Sequence, residues 1–126
     1  MIYGIGVDTV SLERFESALK DNHRKFIQKI CHKNEIRLLS KNKNRKTTTV
    51  AGAFACKEAL AKAFGTGLGV HMLFTDIEVK KNGAGAPFIT LHGKAKKIKE
   101  KFKIKKIFVS LTHEARYCTA FVILEK

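Results

Sequence analysis

The chain has no tryptophan, one proline and two tyrosines in 126 residues. A base-stacking surface of indole and phenol rings is thereby excluded, and so is a proline-rich linker. Cysteine is scarce as well: Cys31, Cys56 and Cys118 stand far apart, in no CxxC or metal-ligand spacing. That rules out a disulfide framework and a zinc finger, and leaves reduced thiols in or near the core of a cytosolic protein. No apolar run approaches the roughly 18 residues of a membrane span, and no charged segment leading into an apolar one opens the chain. A soluble, cytoplasmic protein without membrane association is expected. Acid is the last shortage, with 11 Asp and Glu against 25 Lys and Arg and a net charge of +14. Such a chain attracts polyanions or acidic proteins. Nucleic acid, an anionic membrane surface, phosphorylated ligands and acidic protein partners all satisfy the charge alone.

Hydrophobic residues make up 44% of the chain, enough at this length for one domain spanning residues 1–126. The stretch from Val50 to Phe64 carries full charges only at Lys57, Glu58 and Lys62. It reads as a helix buried on most sides and closed by Gly65. Glu58 and Lys62 share a helix face, with Lys57 about 100 degrees from Glu58. An ordinary i,i+4 ion pair, typically worth about 0.2 to 0.5 kcal/mol, is the plain reading of Glu58 and Lys62.

Residues 2–9 read as a first strand whose one face carries Gly4, Gly6 and Asp8, bare enough for another backbone to come close. Ser11 is the expected N-cap of a helix with Leu12, Phe15 and Leu19 as its stripe. A second segment is expected over His23 to Cys31, and a short helix from Asn34 through Leu39. From Lys20 to Lys46, both included, stand ten basic residues and two acids, Asp21 and Glu35. KNKNRK at 41–46 is a loop signal, with Thr47 to Thr49 as candidate N-caps of the central helix. Phe74 to Lys80 and Phe88 to His92 read as strands joined by NGAGAP, and Lys94 to Lys106 as a basic helix. Two strands, Ile107 to Thr112 and Tyr117 to Leu124, follow with a turn at His113 to Arg116. The fold class expected is α+β, an antiparallel sheet packed on a long central helix.

If the bare strand face packs on that helix, Asp8 and Glu58 meet, with Lys62 one turn beyond. Two carboxylates with room for waters and phosphate oxygens make a magnesium site. Lys62 adds a point charge for a phosphate oxygen, as phosphoryl transfer requires. No Walker A loop is present.

Taken together, GIGVDTVSLERF near the start, FACKEALAKAFGTG at 54–67 and SLTH at 110–113 resemble the holo-acyl-carrier-protein synthases, the small bacterial 4'-phosphopantetheinyl transferases. The resemblance covers almost the whole chain. It implies Asp8 and Glu58 as ligands of Mg2+, completed by the coenzyme A pyrophosphate, and Lys62 as the catalytic lysine. The reaction implied is attack by a serine of apo-acyl carrier protein on the β-phosphorus of coenzyme A, releasing adenosine 3',5'-bisphosphate. A metal-bound water, Glu58 and Lys62 are the candidates to take the serine proton. Coenzyme A binding is implied at Gly65, at the Gly83, Gly85 and Pro87 connection for the adenosine, and at Thr112 and His113 for the 3'-phosphate. His113 reads equally as a turn histidine.

The family commonly has Arg where this chain has Ala53, which leaves two expectations: Arg45 or Lys46 supplies that phosphate contact, or coenzyme A affinity is weaker. The resemblance also implies that the acidic carrier docks on the first helix at Arg14, with Lys20, Arg24 and Lys25 beside it. It implies a homotrimer with active sites between protomers. Two rivals remain: a basic nucleic-acid-binding domain, disfavoured by the missing RNP-type aromatics, and an interaction protein with an inert Glu58 and Lys62 pair. No nucleic acid partner is expected.

Overall fold

The computed structural model describes residues 1–41 and 46–126, apart from the side chains of Asn22 and Lys46. Strand β1 spans Ile2–Ser11, and helices α1, α2 and α3 span Leu12–Ile30, Lys33–Lys41 and Lys46–Phe64. A 3-10 turn at Phe74–Asp76 leads into the hairpin of β2 (Ile77–Lys81) and β3 (Pro87–Leu91). Helix α4 (Gly93–Lys101), β4 (Lys106–Glu114) and β5 (Tyr117–Glu125) complete the chain. One antiparallel sheet has the order β1-β5-β4, and β2 pairs with β3 in a second, so the fold is α+β as expected.

Helix α3 is the centre of the core. Val50, Ala51, Ala55, Cys56, Ala59, Leu60, Ala61, Ala63 and Phe64 are all buried on it. The facing strand β5 contributes Cys118, Ala120, Val122 and Leu124, the alternate residues of a strand with one face inward. On β1 the inward face is Gly4, Gly6, Asp8 and Val10. A methyl group at Gly4 would collide with the carbonyl oxygen of Ala63, and one at Gly6 with that of Ala59. Helix backbone thus lies directly on strand backbone, a separation only glycine permits.

The local signals explain most boundaries. Ser11 Oγ accepts from the Arg14 amide at 3.4 Å and caps α1. Helix α1 runs unbroken where two segments were expected, because no glycine or proline interrupts it and Phe15, Leu19, Ile27 and Ile30 keep one buried stripe. Thr47 to Thr49 lie inside α3 rather than capping it. Phe74 opens the 3-10 turn instead of a strand, since Asp76 accepts from the Leu73 amide at 3.4 Å. Helix α4 stops at Lys101, earlier than its lysine pattern predicts: Lys103 turns left-handed at φ 57° and returns the Ile104 amide to the Lys99 carbonyl. Asn82 shapes the β2–β3 connection by accepting from the Ala84 and Ala86 amides at 2.9 and 3.0 Å. His113 belongs to β4, opposite Cys118, which leaves Ala115 and Arg116 as the turn.

All three cysteines are buried and free. Burial pushes their thiols up, Cys31 and Cys118 to about 11 and Cys56 to about 12. No helix among the described residues is long and apolar enough to cross a membrane.

Replacing Gly6 by alanine forces the strand off α3, since the obstructing atom is backbone and cannot rotate away. The expected loss is about 3 kcal/mol, at the upper end for overpacking, measured as a shift in the urea unfolding midpoint.

Candidate active site

The bare strand face sets Asp8 against α3 beside Glu58 and Lys62. Glu58 directly precedes Ala59, whose carbonyl meets Gly6, so its side chain leaves the helix at the strand contact. Asp8 follows Gly6 on the same strand face. Lys62, one helical turn on, donates to Asp8 Oδ1 at 3.1 Å and to the Val7 carbonyl at 3.0 Å. The i,i+4 partnership read from sequence is therefore replaced: the lysine reaches across to the strand, because the carboxylate and carbonyl there offer two acceptors.

Electrostatics bear on the same grouping. The Glu58 carboxyl titrates above its ordinary range, first because it is partly buried and then because Asp8 is negative beside it, with Lys62 opposing. Two hard oxygen donors sharing a partly desolvated field, next to an exposed lysine, form a set suited to a divalent cation and a phosphate. They open onto a cavity of about 470 Å3 whose walls also include Arg14, Phe15, Ala18, Phe26 and Phe54.

The remaining sequence candidates fall elsewhere. Gly65 closes α3 at φ 77°, its amide returning to the Ala61 and Lys62 carbonyls. Gly83 and Gly85 sit exposed in the β2–β3 connection, and Pro87 opens β3. Thr112 and His113 are exposed on β4. None of these six is among the described walls of the Asp8 cavity. Arg45 lies outside the described residues, as does the side chain of Lys46. Lys20, Arg24 and Lys25 are exposed on α1, with Lys20 3.9 Å from Glu16.

Sequence reading missed a second polar constellation behind the site. Lys57 is fully buried and donates to Glu35 Oε1 at 2.6 Å, to the Ile30 carbonyl at 2.6 Å and to the Phe74 carbonyl at 3.1 Å. A lone lysine within an apolar helix was the available signal, since such a charge needs a buried acid. Nearby, His32, Glu78 and His92 place ligand atoms within 4.8 Å of one another. His32 is the N-cap of α2, however: its Nδ1 accepts from the Asn34 amide at 3.1 Å while Glu35 accepts from the His32 amide at 2.7 Å. That nitrogen's lone pair is already engaged, and the neutral ring then carries its proton on the other nitrogen. Burial and the neighbouring His92 hold His32 below its ordinary pKa, as a capping acceptor requires.

The family model described as 4'-phosphopantetheinyl transferase superfamily matches residues 4–122, and the chain belongs to that superfamily. The holo-[acyl-carrier-protein] synthase of Listeria monocytogenes serotype 4a is 43% identical over 126 residues, 99% of each chain. Among solved structures, the holo-[acyl-carrier-protein] synthase of Neisseria meningitidis superposes with a TM-score of 0.94 at 32% identity, covering 100% of both chains. That of Helicobacter pylori, in complex with coenzyme A, gives 0.83 at 34% identity over 96% of this chain and 99% of the other. Within the superfamily the chain is a phosphopantetheinyl transferase of the holo-[acyl-carrier-protein] synthase group.

The raised Glu58 pKa has a measurable sign. A carboxyl that titrates higher folded than unfolded takes up protons on folding, so its ionisation costs stability as pH rises through the folded value. Without divalent cations, Glu58→Gln is expected to melt above the wild type at pH 7. The difference should vanish below about pH 4, where Glu58 is protonated in both states. Differential scanning calorimetry across that range checks it.

Proposed function

We propose that residues 1–126 act as one cytoplasmic domain that moves the 4'-phosphopantetheine group of coenzyme A onto a serine of apo-acyl carrier protein, with adenosine 3',5'-bisphosphate released. The observation that carries this reading is the meeting of Asp8 and Glu58 where β1 touches α3, with Lys62 bonded across it. The two carboxylates fit Mg2+ by donor chemistry, being hard oxygens beside an open, partly polar cavity. Held by Asp8 and Glu58, Mg2+ would supply positive charge to neutralise the diphosphate.

The chain's own residues do the rest. Lys62, more than half exposed, exchanges its contact with Asp8 for a phosphate oxygen as the diphosphate arrives. Phe15, Phe26 and Phe54 also wall the cavity and limit water around the reacting centre. Glu58, titrating high, is one of the groups able to take the serine proton. Arg14 stands at the same cavity and meets the acidic carrier, with Lys20, Arg24 and Lys25 farther along α1 raising the encounter rate.

Coenzyme residues that do not reach the cavity within one chain fit an active site shared between protomers. In this reading Gly83, Gly85, Pro87, Thr112 and His113 serve a neighbour's site as parts of a homotrimer. The outer face of the three-stranded sheet supports association, because Ile5, Val7, Phe108, Tyr117 and Phe121 are all exposed on it.

Incubating the protein with apo-acyl carrier protein, coenzyme A and Mg2+ should give the phosphopantetheine adduct by mass spectrometry, and no adduct on a competent carrier defeats the reading. Asp8→Ala and Glu58→Ala should each lower turnover by about a hundredfold or more while leaving the fold intact by circular dichroism. Arg14→Glu should raise the KM for the carrier about tenfold at low salt and leave coenzyme A binding near the wild-type value by calorimetry.

A further inference from the structure

Lys57 stands one residue from Glu58, about 100 degrees round the helix, and points into the space between the end of α1, the start of α2 and the turn before β2. Its ammonium spends all three hydrogens there, on Glu35, the Ile30 carbonyl and the Phe74 carbonyl. Glu35 is equally committed: beyond Lys57 it accepts from the His32 amide at 2.7 Å and from the Val79 amide at 3.1 Å. Among the described residues no buried side-chain nitrogen or oxygen is left without a partner. This is a closed polar junction joining four separate segments to α3.

Around it, α3 packs through apolar contacts: Val50, Leu60 and Phe64 are buried, and the Phe54 ring lies against Phe15 and Phe74. Ala51, Ala55, Ala59, Ala61 and Ala63 are buried on it, and its contact with β1 is backbone against glycine. Such contacts set distance and shape but carry no hydrogen-bond direction. A buried ion pair adds fixed bond directions. Because consecutive helical residues lie about 100 degrees apart, the azimuth of Lys57 dictates that of Glu58. We infer that Lys57 and Glu35 are positioning residues that hold Glu58 turned toward Asp8 and so set the affinity of the paired carboxylates for a divalent cation. This inference rests on the metal-ligand reading of Asp8 and Glu58.

The test uses the full chain with coenzyme A present and Mn2+ as probe, free Mn2+ being read by electron paramagnetic resonance. Lys57→Met with Glu35→Gln removes both charges at similar volume, and a glutamine at position 35 can still reach back to the His32 amide. Mn2+ should bind about tenfold more weakly, as on loss of support behind a metal ligand, and the KM for Mg2+ should rise in step. Turnover at saturating Mg2+ should return close to the wild type. A folded double variant with wild-type Mn2+ affinity overturns the inference, because a merely structural pair would alter melting alone. Should the double variant not fold, Glu35→Asp, which keeps both charges and shortens the acid by one methylene, is read by the same titration. It is expected to bind Mn2+ several-fold more weakly, and unchanged binding is again fatal. Glu58→Gln serves as control: wild-type Mn2+ binding by that variant would strike down the ligand assignment itself rather than the role of Lys57.

Discussion

The structure depends on the contact of a glycine-bearing strand with the backbone of a buried helix. Gly4 and Gly6 admit the carbonyls of Ala63 and Ala59 where any side chain would hold them off. Two consequences follow from that one separation. Asp8, next on the same strand face, comes up beside Glu58, and Lys62 comes within reach of both the strand's carboxylate and its backbone. The site is made by closeness of main chains, and its charges are placed by a packing constraint that involves no charge.

Closeness alone leaves orientation open, and the polar junction behind α3 answers that second need. A buried lysine is usually a poor source of stability, since desolvation offsets most of what the ion pair returns. Its bonds do have direction, though, and these reach the ends of α1 and α2, the 3-10 turn and, through Glu35, β2. The apolar contacts of this alanine-rich helix, those of Phe54, Leu60 and Phe64 included, carry no such direction. Helix α3 therefore carries one charge outward to the ligand side and one inward to the frame, at adjacent positions.

Much of the site was legible because it obeys short periods. Gly4, Gly6 and Asp8 alternate with a strand's period of two, Glu58 and Lys62 keep a helix's spacing of four, and the family resemblance singled out Asp8, Glu58 and Lys62 as candidates for chemistry. What escaped was nonlocal or ambiguous. Glu35 lies 22 positions before Lys57 and looked like one of two acids diluting a basic stretch. His32 fills a cap that serine or threonine ordinarily takes, so α2 was read from Asn34. Helix α1 was divided because the polar run between Leu19 and Phe26 resembles a break, although nothing in it stops a helix. The exposed placement of Thr112 and His113 could not be read from one chain's periodicity.

The burial of the three thiols carries one further consequence. Cys31 ends α1, Cys56 adjoins Lys57 and Cys118 lines the inner face of β5, and all three lie out of solvent with their ionisation suppressed. Alkylating reagents attack the thiolate, so the native chain presents them with almost nothing to modify. Each sulfur becomes reactive only when its own segment opens, which makes the three cysteines built-in reporters of where and how often this protein breathes.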